Sequence, residues 1–145
     1  MEIRIKTFAE LTTRELYQLL QLRSAVFVVE QDCVYQDVDG KDQKAIHVLG
    51  TKEGKLVAYT RMFGPGDYFD NPSIGRVVVA QDQRQFGYGK AIMEASIQDL
   101  EAKFPDVAIE LSAQTYLLKF YNSLGFKETG EVYLEDGIPH IRMIK

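Results

Sequence analysis

The stretch IGRVVVAQDQRQFGYGKAIM, residues 74–93, decides how the rest of the chain is read. It opens on Ile74–Ala80, the most β-branched run in the sequence, which reads as a central strand. It closes on a helical pattern after Gly89, with Met93, Ile97, Leu100 and Phe104 on one stripe and Pro105 just past its end. Between the two lie Gly87 and Gly89, preceded by Arg84. A helix N-terminus presents unpaired amide donors and the positive end of its dipole. Glycines there let the backbone close on an oxyanion without Cβ clashes, and Arg84 adds a formal charge. The junction suits a phosphate or pyrophosphate, and equally an ordinary tight strand-to-helix turn. Two familiar phosphate motifs do not fit. Gly89-Lys90 is followed by Ala91 rather than Ser or Thr, and the dinucleotide fingerprint would need Gly or Ala where Ile92 stands.

Outward from this stretch, Glu2–Phe8 alternates Ile3 and Ile5 with Arg4 and Lys6, as a first strand does. In LTTREL, Thr12 reads as a helix cap with Glu15 three residues later, and helical spacing runs on to about Gln31. Ala45–Thr51 and Lys55–Met62 read as strands around KEGK, where Gly54 supplies a hairpin turn. Val107–Leu111 reads as another strand, and Tyr116–Leu124 as a short helix that Gly125 can cap. Phe126–Leu134 and Ile138–Ile144 read as strands joined at EDG. The sequence therefore predicts a single α/β domain over residues 1–145, mostly antiparallel at first and with crossover helices later.

Composition narrows the function. The chain has 145 residues, 46% apolar and 26% charged, with a formal net charge of −4. A net negative charge argues against nucleic acid, which recruits a basic face. The one cysteine, Cys33, excludes an internal disulfide and a multi-thiolate zinc cage, and no metal site is expected. No apolar signal core and no run of eighteen apolar residues occurs, so a cytoplasmic protein without membrane contact is expected. Monomer and homodimer both stay open.

The pattern R-x-x-G-x-G after a β-branched strand resembles the acetyl-CoA-binding motif of the GNAT superfamily of N-acetyltransferases. The element order is similar to that fold over the whole chain, and Ser112–Phe126 (SAQTYLLKFYNSLGF) resembles the family's second motif. Phe27–Gly40 (FVVEQDCVYQDVDG) and Glu135–Met143 (EDGIPHIRM) resemble its ElaA-like branch. The resemblance implies a GNAT acyltransferase fold, a mixed, mostly antiparallel sheet of about seven strands flanked by helices and splayed at the cofactor site. It implies acetyl-CoA as co-substrate. The backbone of Val77, Val78 and Val79 would pair with the pantetheine arm. The amides of Arg84, Gln85, Phe86, Gly87, Tyr88, Gly89 and Lys90 would wrap the pyrophosphate. Tyr121 would lie near the coenzyme sulfur, able to protonate the leaving thiolate. Its competing reading is core packing, with Leu117, Phe120 and Leu124.

An amine must lose a proton to react, and Glu30, His47, Glu110 and His140 are the candidate bases. Each has a competing reading: a solvated helix end for Glu30, a satisfied strand histidine for His47, a solvent-facing strand residue for Glu110, a turn-fixing hydrogen bond for His140. Glu30 and His140 are carried forward as catalytic candidates. Gln31, Tyr35, Asp136 and His140 are the expected acceptor contacts, with Cys33, Asp37 and Asp39 on the same rim. That rim looks acidic, which favours a cationic amine. The expected function is acetyl transfer to a primary amine, on a small molecule or a lysine side chain. The alternative is a coenzyme A-binding or sensing protein with vestigial catalysis.

Overall fold

The computed structural model describes residues 1–145. The strands are β1 (Glu2–Thr7), β2 (Ile46–Lys52), β3 (Lys55–Phe63), β4 (Ser73–Val79), β5 (Glu110–Gln114), β6 (Lys127–Glu135) and β7 (Ile138–Ile144). The helices are α1 (Thr13–Arg23), α2 (Tyr88–Lys103) and α3 (Leu118–Ser123). All seven strands join one sheet in the order β1-β2-β3-β4-β5-β7-β6. Only β4 and β5 run parallel, and α2 is the crossover between them.

Local signals place most of these elements. Thr12 and Glu15 make the reciprocal capping bonds that start α1, Glu15 N–H to Thr12 Oγ1 at 3.1 Å and Thr12 N–H to Glu15 Oε1 at 2.8 Å. Glu53-Gly54 and Asp136-Gly137 both take positive φ at the centres of two-residue hairpin turns, the conformation that matches strand twist. Gly125 lies in the left-handed region at φ 96°, and the Phe126 N–H closes the end of α3 on the Tyr121 carbonyl at 3.1 Å.

Two cores flank the sheet. On one side Ile92, Met93, Ile97 and Leu100 of α2 pack with Val48, Met62, Ile74, Leu111, Phe126 and Met143. On the other, Leu19 of α1 and Val26 pack with Leu49, Leu56, Tyr59 and Val78. The i, i+4 spacing of the α2 residues puts one stripe against the sheet.

Two local readings need correction. The strand expected at Val107–Leu111 is β5 at Glu110–Gln114, because its register is set by β7, where Glu110 opposes Ile144 and Gln114 opposes His140. The helical stretch after Arg23 is a π-helix, Ser24–Glu30, with the Gln31 N–H bonded to the Val26 carbonyl. The wider π turn carries Val26, Phe27 and Glu30 to the edge of the sheet opening.

Candidate active site

The sheet opens between β4 and β5. Their one paired position is Ser73 with Glu110, beyond which the strands separate. β4 also bulges on its β3 side, where the register shifts between Tyr59 and Arg61 and Arg76 takes φ 48°. The result is a cleft of about 520 Å³ at the fork. Val77–Val79 line it with the β4 edge that β5 leaves unpaired.

One end of the cleft meets the start of α2. Gly87 is the cap residue at φ 74°, which a Cβ would disfavour, and it gives the helix no side-chain cap. The first intrahelical acceptance is by its carbonyl from the Ala91 N–H, so the amides of Tyr88, Gly89 and Lys90 have no helical partner. Gly89 leaves them open, since its added Cβ would touch only Phe120 and Val79 at 3.7 Å. Arg84 is less free than its sequence position suggests. Its guanidinium grips Glu30 at 2.6 and 2.8 Å and reaches the Val79 carbonyl at 3.3 Å. Positive potential at this end therefore rests mainly on the amides, with Lys90 beside them. The backbone groups and glycines fit a pyrophosphate. Gln85, Phe86 and Tyr88 are part of the same turn without lining the cleft, and Phe86 and Tyr88 instead stack near the Lys52 ammonium.

Tyr121 lines the middle of the cleft. Its ring packs edge-on against Phe120 and Phe126, and burial, with a smaller push from Tyr116, raises its phenol above the ordinary range. It is thus both a core residue and a cleft residue, and it stays protonated at neutral pH. Near the other end, His140 is buried with its Nδ1 2.7 Å from the Ile138 carbonyl. Nδ1 must carry the proton in that bond, so Nε2 is the nitrogen available for proton exchange. Nε2 lies 3.3 Å from Glu135 Oε2, and the Tyr133 ring stacks on the imidazole.

The other candidate bases have partners of their own. The Arg84 hydrogen bonds hold Glu30 below the ordinary carboxylate range, which weakens it as a base. His47 is buried between the Tyr59 hydroxyl at 2.7 Å and the Asp42 carbonyl at 2.9 Å, a satisfied strand histidine. Glu110, whose competing reading is a solvent-facing strand residue, is instead buried and paired with Arg142 at 2.9 Å.

The acidic rim is corrected most. Asp37 is buried and bonded by Arg23 at 2.8 Å, and Asp39 is gripped by Arg61 through two bonds of 2.9 Å. Arg23 and Arg61 also share Asp42, at 2.7 and 3.0 Å. Arg76 adds its Nε 2.8 Å from Asp37, an approach too bent for a hydrogen bond. Three arginines thus neutralise three aspartates, none of which lines the cleft. Tyr35 donates to Asp37 at 3.0 Å, and the Cys33 thiol to the Asp136 carbonyl at 3.3 Å. Both line the cleft, as do Asp136 and Glu135, whose carboxylates leave that end acidic. Gln31 forms a reciprocal amide pair with Gln114 across the opening, at 3.3 and 3.4 Å. Sequence reading missed Gln114, Ser112, Gly75 and Arg76 in the lining; the Gly-Arg interruption of the valine run was the one local sign of the last two.

A sheet forked beside an uncapped, glycine-opened helix start defines a class of acyl-group transferase. The chain belongs to the GNAT acetyltransferase family, whose domain pattern matches residues 12–145, and the forked sheet is the GNAT acyltransferase fold. It is similar to protein ElaA of Escherichia coli, with 45% identity over 139 residues that cover 94% of this chain and 91% of ElaA. The crystal structure of ElaA superposes with a TM-score of 0.93 at 43% identity, covering 99% of this chain and 98% of that one. An acyl-CoA N-acyltransferase from Pseudomonas aeruginosa superposes with a TM-score of 0.94 at 44% identity, covering 100% and 99%. No helix of this chain is long and apolar enough to cross a membrane.

Proposed function

We propose that the protein transfers an acetyl group from acetyl-CoA to a primary amine by direct attack. The observation that carries this is one cleft lined both by the β4 edge that β5 leaves unpaired and by Gly89 and Lys90, whose amides have no helical partner at the start of α2. A pantetheine arm is a string of amides and can add to that edge as a strand would, with its pyrophosphate at the helix start. The family membership, and a close relative described as an acyl-CoA N-acyltransferase, support the same reading. The free thiol of Cys33 fits a reducing, cytoplasmic setting.

The chain's own groups supply the rest. Glu135 and Asp136 draw a protonated amine to the acceptor end, between Gln31, Tyr35 and His140. His140 takes the ammonium proton at Nε2. The neutral nitrogen attacks the thioester carbonyl, the C–N bond forms and the C–S bond breaks. Tyr121 delivers its proton to the departing sulfur, and the second proton shed by the acylated nitrogen restores the phenol. Glu30 serves by holding Arg84 over the end of β4 rather than as the base.

The test is thiol release from acetyl-CoA over a panel of primary amines, including polyamines, lysine peptides and anionic amino acids. Turnover with a cationic amine is expected. Tight coenzyme binding without turnover on any amine would favour the sensing alternative.

A further inference from the structure

Of the eleven glycines, Gly75 is the one that has neither a positive φ nor a neighbour within 4 Å of an added Cβ. Gly40, Gly54, Gly66, Gly87, Gly125, Gly130 and Gly137 have positive φ. A Cβ at Gly50, Gly64 or Gly89 would meet a side chain within 4 Å, whereas one at Gly75 would meet nothing. Glycine weakens a strand interior and there often marks a bulge, as beside Arg76, or the close approach of a ligand. Gly75 lies inside β4 and lines the cleft, so the room it leaves is open to a ligand.

Its place says which part of a ligand. Ser73 and Glu110 are the last paired residues before the fork. Strand side chains repeat every two residues, so Gly75 and Ser112 are the next positions on that face, and both line the cleft. Ile74 and Leu111 add apolar floor beside them. With the pantetheine arm along Val77–Val79, the fork lies past the thioester, while the amine arrives beside Tyr35, Asp136 and His140. What extends into the fork is the acyl group.

We infer that Gly75 sets acyl-chain length, and that its open side admits acyl groups of about three or four carbons as well as acetyl. The inference rests on the coenzyme A reading above. The transfer is unchanged: C–N forms, C–S breaks, and the coenzyme leaves as its thiol.

Calorimetry with coenzyme A, acetyl-CoA, propionyl-CoA and butyryl-CoA tests this without knowledge of the amine. Each buried methylene is worth up to about fourfold in affinity, so the wild type should hold butyryl-CoA at least as tightly as acetyl-CoA. Gly75→Val should leave coenzyme A binding unchanged and weaken butyryl-CoA relative to acetyl-CoA on the order of tenfold. Gly75→Ala should shift the ratio the same way by less, and keeps the test valid should the valine variant not fold. A wild type that rejects butyryl-CoA, or a folded Gly75→Val that keeps the wild-type ratio, overturns the inference alone. A wild type that binds no coenzyme A at all overturns the functional reading and the inference with it.

Discussion

Tyr121 and His140 divide the proposed proton traffic by environment. Burial keeps the Tyr121 phenol protonated, as a donor to a leaving thiolate must be. The Ile138 carbonyl fixes the proton of His140 on Nδ1 and leaves Nε2 to accept. Tyr121→Phe keeps the packing against Phe120 and Phe126, so its melting temperature should stay near wild type while kcat falls about a hundred- to ten-thousand-fold. An unchanged kcat, with chemistry rate-limiting, would assign Tyr121 to packing alone. His140→Gln should lower turnover with the melting temperature near wild type; turnover equal to wild type would point to another base. Single residues were legible here only where a motif framed them. Tyr121 stands in FYNSLGF, whereas Gln114 and Ser112 carry no local mark and enter the cleft through the register of β5 against β7.

At the scale of elements, the decisive feature is the junction of β4 and α2. Strand, glycine turn and amphipathic helix were all readable from residues 74–104, because each is a local pattern of the chain. The fork was not readable from periodicity, since it depends on where β5 stops pairing with β4, a contact between distant segments. The π-helix escaped for a different reason. Seven residues are too few for apolar spacing to separate a π turn from an α turn, and SAVFVVE is apolar on every side. Gly87→Ala should cost about 1–2 kcal/mol in denaturant unfolding, because it forces a Cβ into the left-handed region. A cost near zero would mean that the turn relaxes out of that conformation.

Across the whole molecule, the sheet is tied to the loop before β2 by charge. Arg23, Arg61 and Arg76 come from α1, β3 and β4, and converge on Asp37, Asp39 and Asp42. Their separation in sequence hid this network and made the loop look like an acidic rim. Arg23 is fully buried between two carboxylates, so Arg23→Met should destabilise the fold by about 3–5 kcal/mol, with the loss read from chemical denaturation. Burial opposes ionisation of Asp39, but the Arg61 hydrogen bonds and charge outweigh it and bring its pKa down to about 2. Its contribution is therefore complete above the unfolded value of 3.8 and is lost as pH falls toward 2. Burial also lowers the His47 pKa, so an earlier loss should begin as pH falls below 6.5. Asp39→Asn should flatten the stability curve below pH 4; a curve parallel to wild type there would remove Asp39 from the account.

The central claim is that the fork between β4 and β5 holds coenzyme A with its pyrophosphate on the α2 amides. Titration calorimetry of coenzyme A into wild type and Gly89→Val tests it most directly, with both melting temperatures measured alongside. The valine would crowd the open amides, while the Cβ itself meets only ordinary contacts at 3.7 Å. The account predicts saturable binding to the wild type and binding at least tenfold weaker to a folded Gly89→Val. Equal affinity for the two proteins would contradict it.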